Sequence, residues 1–152
     1  TKAFSRQIAF NVIPQIDAFQ DNDYTKEEMK MVWETQKIMG DDSILVNATA
    51  VRVPVFYGHG EAIHLETRAP IDAEQVKQLL ADAPGVKVYD AADEFPTQVS
   101  SASGNDMVHV GRIRNDITHP CGLNLWVVSD NIRKGAATNS IQIAETLIRD
   151  YL

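Results

Sequence analysis

The sequence predicts an α+β fold in which helices cover one face of a mixed, mostly antiparallel sheet. Three segments show helical periodicity, and five short segments rich in apolar residues are typical of strands. Strands that follow one another through short turns pair antiparallel. A dinucleotide-binding loop is not predicted, because the Gly58-His59-Gly60 run lacks a third glycine and a following helix. We therefore expect one domain over residues 1–152, without a nucleotide-binding domain of its own.

The first predicted helix has clear signals at both ends. Thr25 and Glu28 have the spacing of a capping box, so the helix begins directly after Thr25. It is expected to run to about Met39, since Gly40 is a good C-cap.

Two further helices are predicted from a cap and from apolar periodicity. Asp72 and Gln75 form a second capping-box pattern. The apolar face of the helix that follows consists of Val76, Leu79 and Leu80. The last helix lies within 136–152, and its apolar face consists of Ile141, Ala144, Leu147, Ile148 and Tyr151.

The strands are predicted from runs rich in β-forming residues. The longest covers residues 44–56 and is expected to be largely buried, with an interruption at Pro54. The others are expected at 61–67, 86–89, 107–114 and 122–129. Residues 90–106, rich in Ala, Asp, Ser, Gly and Pro, predict a long surface loop.

Composition narrows the class of protein. A net charge of −7 without a basic stretch argues against a nucleic-acid partner. The apolar runs are too short to cross a membrane, and we recognise no signal peptide. With one cysteine, Cys121, no internal disulfide is possible, so we expect a soluble cytoplasmic protein. The histidines and Cys121 lack the paired spacing of a metal site, and no metal is predicted.

Two groups of residues are candidates for chemistry. Glu27 and Lys30 lie on one side of the first helix, and the pattern alone favours a solvated ion pair over a binding site. Arg52, within an apolar run, needs a partner or a ligand, and its guanidinium suits a carboxylate. His59, between two glycines, would be accessible for proton transfer. For Arg52 and His59 the alternative is an edge arginine and a loop histidine, and the pattern leaves both interpretations open.

A third group contains Arg112 and Arg114, expected on one strand face, and the turn 130–137. There Gly135 and small alanines permit a close backbone approach, either to a ligand or to a neighbouring strand.

Taken together, five segments resemble the aspartate-semialdehyde dehydrogenase family, and the resemblance covers nearly the whole chain. These segments are IAFNVIPQID (8–17), EEMKMVWETQKIMG (27–40), ATAVRVPVFYGHGEAIHLET (48–67), VGRIRND (110–116) and GLNLWVVSDNIRKGAATNSIQIAE (122–145). The resemblance implies a dimerisation and catalytic domain, with NADP bound mainly by an amino-terminal domain. It also implies reductive dephosphorylation of aspartyl phosphate to aspartate semialdehyde, on the route to lysine, methionine and threonine.

The resemblance also implies roles for five residues. Arg52 would hold the substrate carboxylate, and Glu27 the substrate amino group. Lys30 would hold phosphate. His59 would be the acid–base residue, and Asn131 would lie near the nicotinamide.

The family's glycine-rich loop and nucleophilic cysteine find no match here, and Cys121 does not correspond to that nucleophile. We therefore expect a fragment that is inactive alone and forms a homodimer. Residues 135–152, which contain the last helix, are expected to pack on the missing domain. Two alternatives are a dimerisation module without turnover and an N-acetylglutamyl-phosphate reductase. Glu27 favours the aspartate enzyme, because a free amino group needs a carboxylate partner.

Overall fold

The computed structural model describes residues 3–91 and 93–152, and the chain divides into two compact units, Thr1–Pro54 and Val55–Leu152. We call these the first and the second unit.

In the first unit, helix α1 spans Lys26–Met39, as the capping signals predict. The Thr25 hydroxyl accepts from the Glu28 N–H, and the Glu28 carboxylate accepts from the Thr25 N–H, which completes the capping box. Gly40 ends the helix in the left-handed conformation, with φ of 64°. Local sequence therefore sets both ends of α1.

The prediction of a strand at residues 44–56 is wrong, because the segment has no regular strand pairing. Within the described residues this segment forms a single bridge, in which Arg52 exchanges both backbone hydrogen bonds with Ile13. Most of its large apolar side chains are exposed, among them Leu45, Val51, Val53 and Phe56. The Val-rich composition supports an extended backbone, but a strand also needs a neighbour with matching donors and acceptors over several residues.

In the second unit, a four-stranded sheet has the order β1-β4-β3-β2. The strands are β1 (His59–Glu66), β2 (Val86–Val88), β3 (Val108–Asn115) and β4 (Gly122–Ser129). The β1/β4 and β3/β4 pairs are antiparallel, and the β2/β3 pair is parallel. The mixed, mostly antiparallel sheet of the predicted α+β fold is therefore confirmed.

Helix α2 (Ala73–Ala81) packs on one face of the sheet. The buried centre of this layer consists of Ala73, Val110, Ile113 and Leu123. Val76 and Leu80 pack against it as predicted, whereas Leu79 is exposed. The apolar face of α2 is thus narrower than its sequence suggests.

The predicted loop at 90–106 contains a short π-helical turn, Gln98–Ala102. A second π-helical turn, Arg133–Ala137, leads into helix α3 (Thr138–Tyr151). Within the described residues the apolar side chains of α3 are exposed, including Ile141, Leu147, Ile148 and Tyr151. Among the same residues no helix is long and apolar enough to cross a membrane.

Candidate functional site

The first turns of α1 carry the predicted Glu27–Lys30 pair. The Lys30 Nζ lies 3.3 Å from Glu27 Oε2 and 4.0 Å from Glu34 Oε1. The side chains of Lys30 and Glu27 are 41% and 36% exposed, so the pair remains accessible to an anionic or amino-bearing ligand. This geometry is also that of a solvated ion pair, which by itself contributes little stability.

Glu28, which lies between Glu27 and Lys30 in the sequence, is buried, with 7% of its surface exposed. Its Oε2 accepts from the Thr25 N–H at 2.7 Å, and its Oε1 accepts from the Ala50 N–H at 2.8 Å. The Thr25 N–H, followed by the Ala50 N–H, lowers the pKa of the Glu28 carboxyl. The sequence predicts only the capping contact, because nothing local to Glu28 indicates a bond to Ala50.

Arg52 lies two residues after Ala50, at the bridge to Ile13. It is exposed, and its guanidinium lies 5.5 Å from the centre of the Phe4 ring, a cation–π contact. The expectation of an arginine inside a buried strand is therefore wrong. The side chain faces solvent, and its backbone is held at both N–H and C=O by Ile13.

In the second unit, His59 is the first residue of β1 and is exposed. Its Cα pairs with that of Ser129 on β4. Gly58, directly before it, has φ of 76°, a conformation that glycine adopts without strain. The Gly58 N–H donates to Asn131 Oδ1 at 3.0 Å. The structure thus brings the predicted His59 and Asn131 together through Gly58.

The segment after β4 is fixed by Asp130, which is 6% exposed. Its Oδ1 accepts from the N–H groups of Ile132 and Arg133 at 2.9 and 3.0 Å. Its Oδ2 accepts from the Gly104 N–H at 2.8 Å. The Arg133 and Gly104 N–H groups, in that order, contribute most to lowering the pKa of Asp130. Asn131 therefore follows a firmly anchored residue.

A further ion pair joins the second π-helical turn to the loop before β3. The Arg133 guanidinium donates to both carboxylate oxygens of Asp106 at 2.8 and 3.0 Å, and the Thr138 hydroxyl donates to Asp106 at 2.6 Å. These hydrogen bonds, that of Arg133 first, lower the pKa of Asp106 to about 2. Sequence reasoning assigned no role to Asp106 or Asp130.

The backbone of β3 departs from a regular strand where the predicted pair Arg112 and Arg114 lies. A bulge lies between Gly111 and Arg114, and Arg112 has a positive φ of 57°. Both arginines are exposed and line an open cavity of about 450 Å³ together with Phe95, Trp126 and other residues of the second unit.

Among the described residues no group of three or more His, Cys, Asp or Glu side chains could hold a metal ion. His64 and Asp116 form a pair at 2.6 Å, and the Asp116 pKa is lowered to about 2, chiefly by the Thr118 N–H.

Of the five predicted site residues, Glu27, Lys30 and Arg52 belong to the first unit, and His59 and Asn131 to the second. In the first unit, Glu27 and Lys30 form an ion pair, and Glu28 links their helix to the segment that leads to Arg52.

The chain is similar in sequence to a known protein family and to individual known proteins. Residues 1–134 match the family model described as semialdehyde dehydrogenase, dimerisation domain. The aspartate-semialdehyde dehydrogenase of Shewanella sp. (strain DB6705) is 68% identical over 150 residues, which are 99% of this chain and 44% of that protein.

Two solved structures are also similar. The aspartate semialdehyde dehydrogenase II of Vibrio cholerae complexed with ASA has a TM-score of 0.96 at 67% identity, over 100% of this chain and 45% of that one. The aspartate semialdehyde dehydrogenase of Candida albicans with NADP has a TM-score of 0.74 at 31% identity, over 92% of this chain and 45% of that one. The chain thus spans less than half the length of these relatives.

Proposed function

The chain belongs to the semialdehyde dehydrogenase family, and we propose that it is the catalytic and dimerisation domain of an NADP-dependent aspartate-semialdehyde dehydrogenase. The observation that carries this proposal is the 68% identity with the Shewanella enzyme over 99% of the chain. The reaction would be reductive dephosphorylation of L-aspartyl 4-phosphate to L-aspartate 4-semialdehyde, within lysine, methionine and threonine biosynthesis.

In this proposal the first unit binds the substrate. The exposed Arg52 guanidinium would form two parallel hydrogen bonds with the substrate α-carboxylate. Glu27 would accept from the substrate ammonium group, and Lys30, a flexible point charge, would hold the phosphate oxygens. The Glu27–Lys30 ion pair would then separate as each partner meets a ligand group of opposite charge.

In the second unit, His59 would be the acid–base residue. It would accept the proton of a cysteine thiol, so that the thiolate attacks the acyl phosphate carbon and phosphate leaves. It would later return a proton as the reduced adduct releases the aldehyde. The nucleophilic cysteine would come from the nucleotide-binding domain joined to this chain, since Cys121 has no counterpart among the family's nucleophiles.

NADPH, when bound, supplies the hydride that reduces the thioester. Within this chain, the family resemblance supports Asn131 as the residue beside it. The Oδ1 atom accepts from the Gly58 N–H, so the amide NH₂ group would be the donor to the cofactor. Most cofactor contacts would come from the nucleotide-binding domain, on which α3 would pack its exposed apolar face. The assembly would be a cytoplasmic homodimer, with the interface built by domains like this one.

The test is an assay of the protein expressed from the natural gene that contains this chain. We expect phosphate-dependent NADP reduction with L-aspartate 4-semialdehyde, and none with residues 1–152 alone. Turnover of N-acetyl-L-glutamate 5-semialdehyde instead would show that the protein is an N-acetylglutamyl-phosphate reductase. No turnover with either aldehyde would leave a dimerisation module and overturn the proposal.

A further inference from the structure

The backbone on either side of His59 is closely confined. A Cβ atom on Gly58 would lie 2.9 Å from the carbonyl oxygen of Ser129. A Cβ atom on Gly60 would lie 2.5 Å from Gln98 Nε2 and 2.8 Å from Trp126 Cη2. The Gly58-His59-Gly60 segment therefore runs directly against neighbouring groups, and its backbone position determines where the imidazole points.

Asn131 supplies the side-chain contact to this segment. Its Oδ1 accepts from the Gly58 N–H at 3.0 Å, although 73 residues separate the two along the chain. Gly58 lies one residue before β1, so its N–H is outside the β1/β4 ladder that begins with His59 and Ser129. The Asn131 side chain thus continues the contact between β1 and the segment after β4 by one residue beyond the ladder, at the position directly before His59.

Asn131 is itself held in place. The buried carboxylate of Asp130 accepts hydrogen bonds from the backbone N–H groups of Ile132, Arg133 and Gly104. These three bonds fix the chain on both sides of Asn131 and tie it to the turn after the first π-helical segment. An acceptor anchored in this way holds Gly58 with little freedom of its own.

We propose that Asn131 is a positioning residue for His59, acting through the Gly58 N–H. The inference rests on the proposed function and deepens it, because Asn131 was assigned there only as a neighbour of the cofactor. Its acceptor oxygen orients the acid–base histidine, whereas a cofactor contact would use its NH₂ group. The two atoms of one amide therefore make separable contributions.

The variants Asn131→Ala and Asn131→Asp separate the contribution of the acceptor oxygen from that of the NH₂ donor. Asn131→Ala removes both atoms, whereas Asn131→Asp keeps an acceptor for Gly58 and removes the NH₂ donor. In the protein from the natural gene, Asn131→Ala is expected to lower kcat about 100-fold, because small misplacement of a catalytic group costs about that much. Because both variants lose the NH₂ group, any rise in the KM for NADP should be similar in the two, whereas Asn131→Asp should recover at least tenfold of the lost kcat.

Hydrogen exchange at the Gly58 amide gives a readout that does not depend on turnover. We expect protection in the wild type and in Asn131→Asp, and faster exchange in Asn131→Ala. If the wild type shows no activity, the proposed function fails while this exchange pattern still tests the positioning contact. Equal exchange in all three proteins would overturn the inference. An increase in KM for NADP in both variants with unchanged kcat would overturn it as well.

Discussion

The carboxylate of Glu28 accepts a hydrogen bond from the backbone N–H of Ala50 at 2.8 Å, although 22 residues separate the two positions. The other carboxylate oxygen accepts from the Thr25 N–H at 2.7 Å. One buried side chain therefore joins the start of α1 to the segment that leads to Arg52. Glu27 and Lys30, proposed to bind substrate, lie on α1, and the proposed substrate-binding residue Arg52 lies on the segment that follows Ala50.

Replacement of Glu28 by glutamine tests this link. Glutamine offers one acceptor oxygen for two backbone donors, and its NH₂ group would face the second N–H. Loss of a buried hydrogen bond with a donor left unsatisfied is expected to lower the free energy of unfolding by about 1–3 kcal/mol. The measurement is urea unfolding of the purified protein.

Glu34→Gln is the matched control, because Glu34 lies on the same helix, is 59% exposed and is 4.0 Å from Lys30. We expect a change below about 0.5 kcal/mol for this exposed position. Equal destabilisation by the two substitutions would show that Glu28 acts only through helix charge.

Replacement of Arg52 by lysine addresses substrate binding in the protein from the natural gene. Lysine keeps the charge but loses the planar fork for a carboxylate. A loss of about 1.5–3 kcal/mol for a hydrogen bond to a charged group corresponds to roughly a 10- to 150-fold lower kcat/KM for aspartate semialdehyde. Steady-state kinetics measure this, and Arg68→Lys, at an exposed position two residues after β1, serves as the control. An unchanged kcat/KM in Arg52→Lys would remove Arg52 from the proposed binding site.

The buried His109 predicts a dependence of stability on pH. Its ring is 1% exposed, its Nδ1 lies 3.2 Å from the Tyr89 hydroxyl, and burial, followed by Lys87, lowers its pKa below 6.5. The neutral imidazole is favoured in the folded state. Its stabilising contribution is therefore present above about pH 6.5 and is lost as the pH falls below that value through the folded-state pKa.

The free energy of unfolding of the wild type should fall more steeply between about pH 7.5 and pH 5.5 than that of His109→Gln, which does not titrate there. Urea unfolding at several pH values measures the slope. Parallel slopes for the wild type and His109→Gln would contradict the prediction.

The confinement of Gly60 predicts a steric cost. A methyl group there would meet Gln98 at 2.5 Å and Trp126 at 2.8 Å, so Gly60→Ala is expected to destabilise the protein by about 1–3 kcal/mol. Gly135→Ala is the control, since the nearest atom to its Cβ would lie 3.6 Å away. Thermal unfolding compares them, and equal melting temperatures would show that the side chains around Gly60 move aside at little cost.

Local signals in the sequence predicted α1 and α2 well. The two capping boxes lie within four residues each, so the helix starts follow from neighbouring side chains. Strand β4 also follows the predicted bounds, because its residues are apolar and bounded by turns. The parallel β2/β3 pair was not specifically predicted, since pairing depends on residues far apart along the chain.

The candidate residues were predicted unevenly. Glu27, Lys30, Arg52 and His59 were candidates from the residue pattern. The resemblance to a family added Asn131 and gave all five their roles, which remain predictions. Of the residues that hold them, Glu28 was given only a local role and Asp130 was given none. Their contacts are formed with backbone groups, and a backbone N–H carries no signature in the sequence.

The sequence by itself determined both ends of α1, the start of α2, the mixed α+β class and the family, because these depend on local hydrogen bonds, periodicity and residue identity. Only the tertiary structure decided that residues 44–56 form one bridge and that Glu28 meets Ala50. It also decided that Asn131 holds the residue before His59. Each of these depends on whether a distant segment presents a donor or an acceptor at about 3 Å, a condition that no short stretch of sequence fixes.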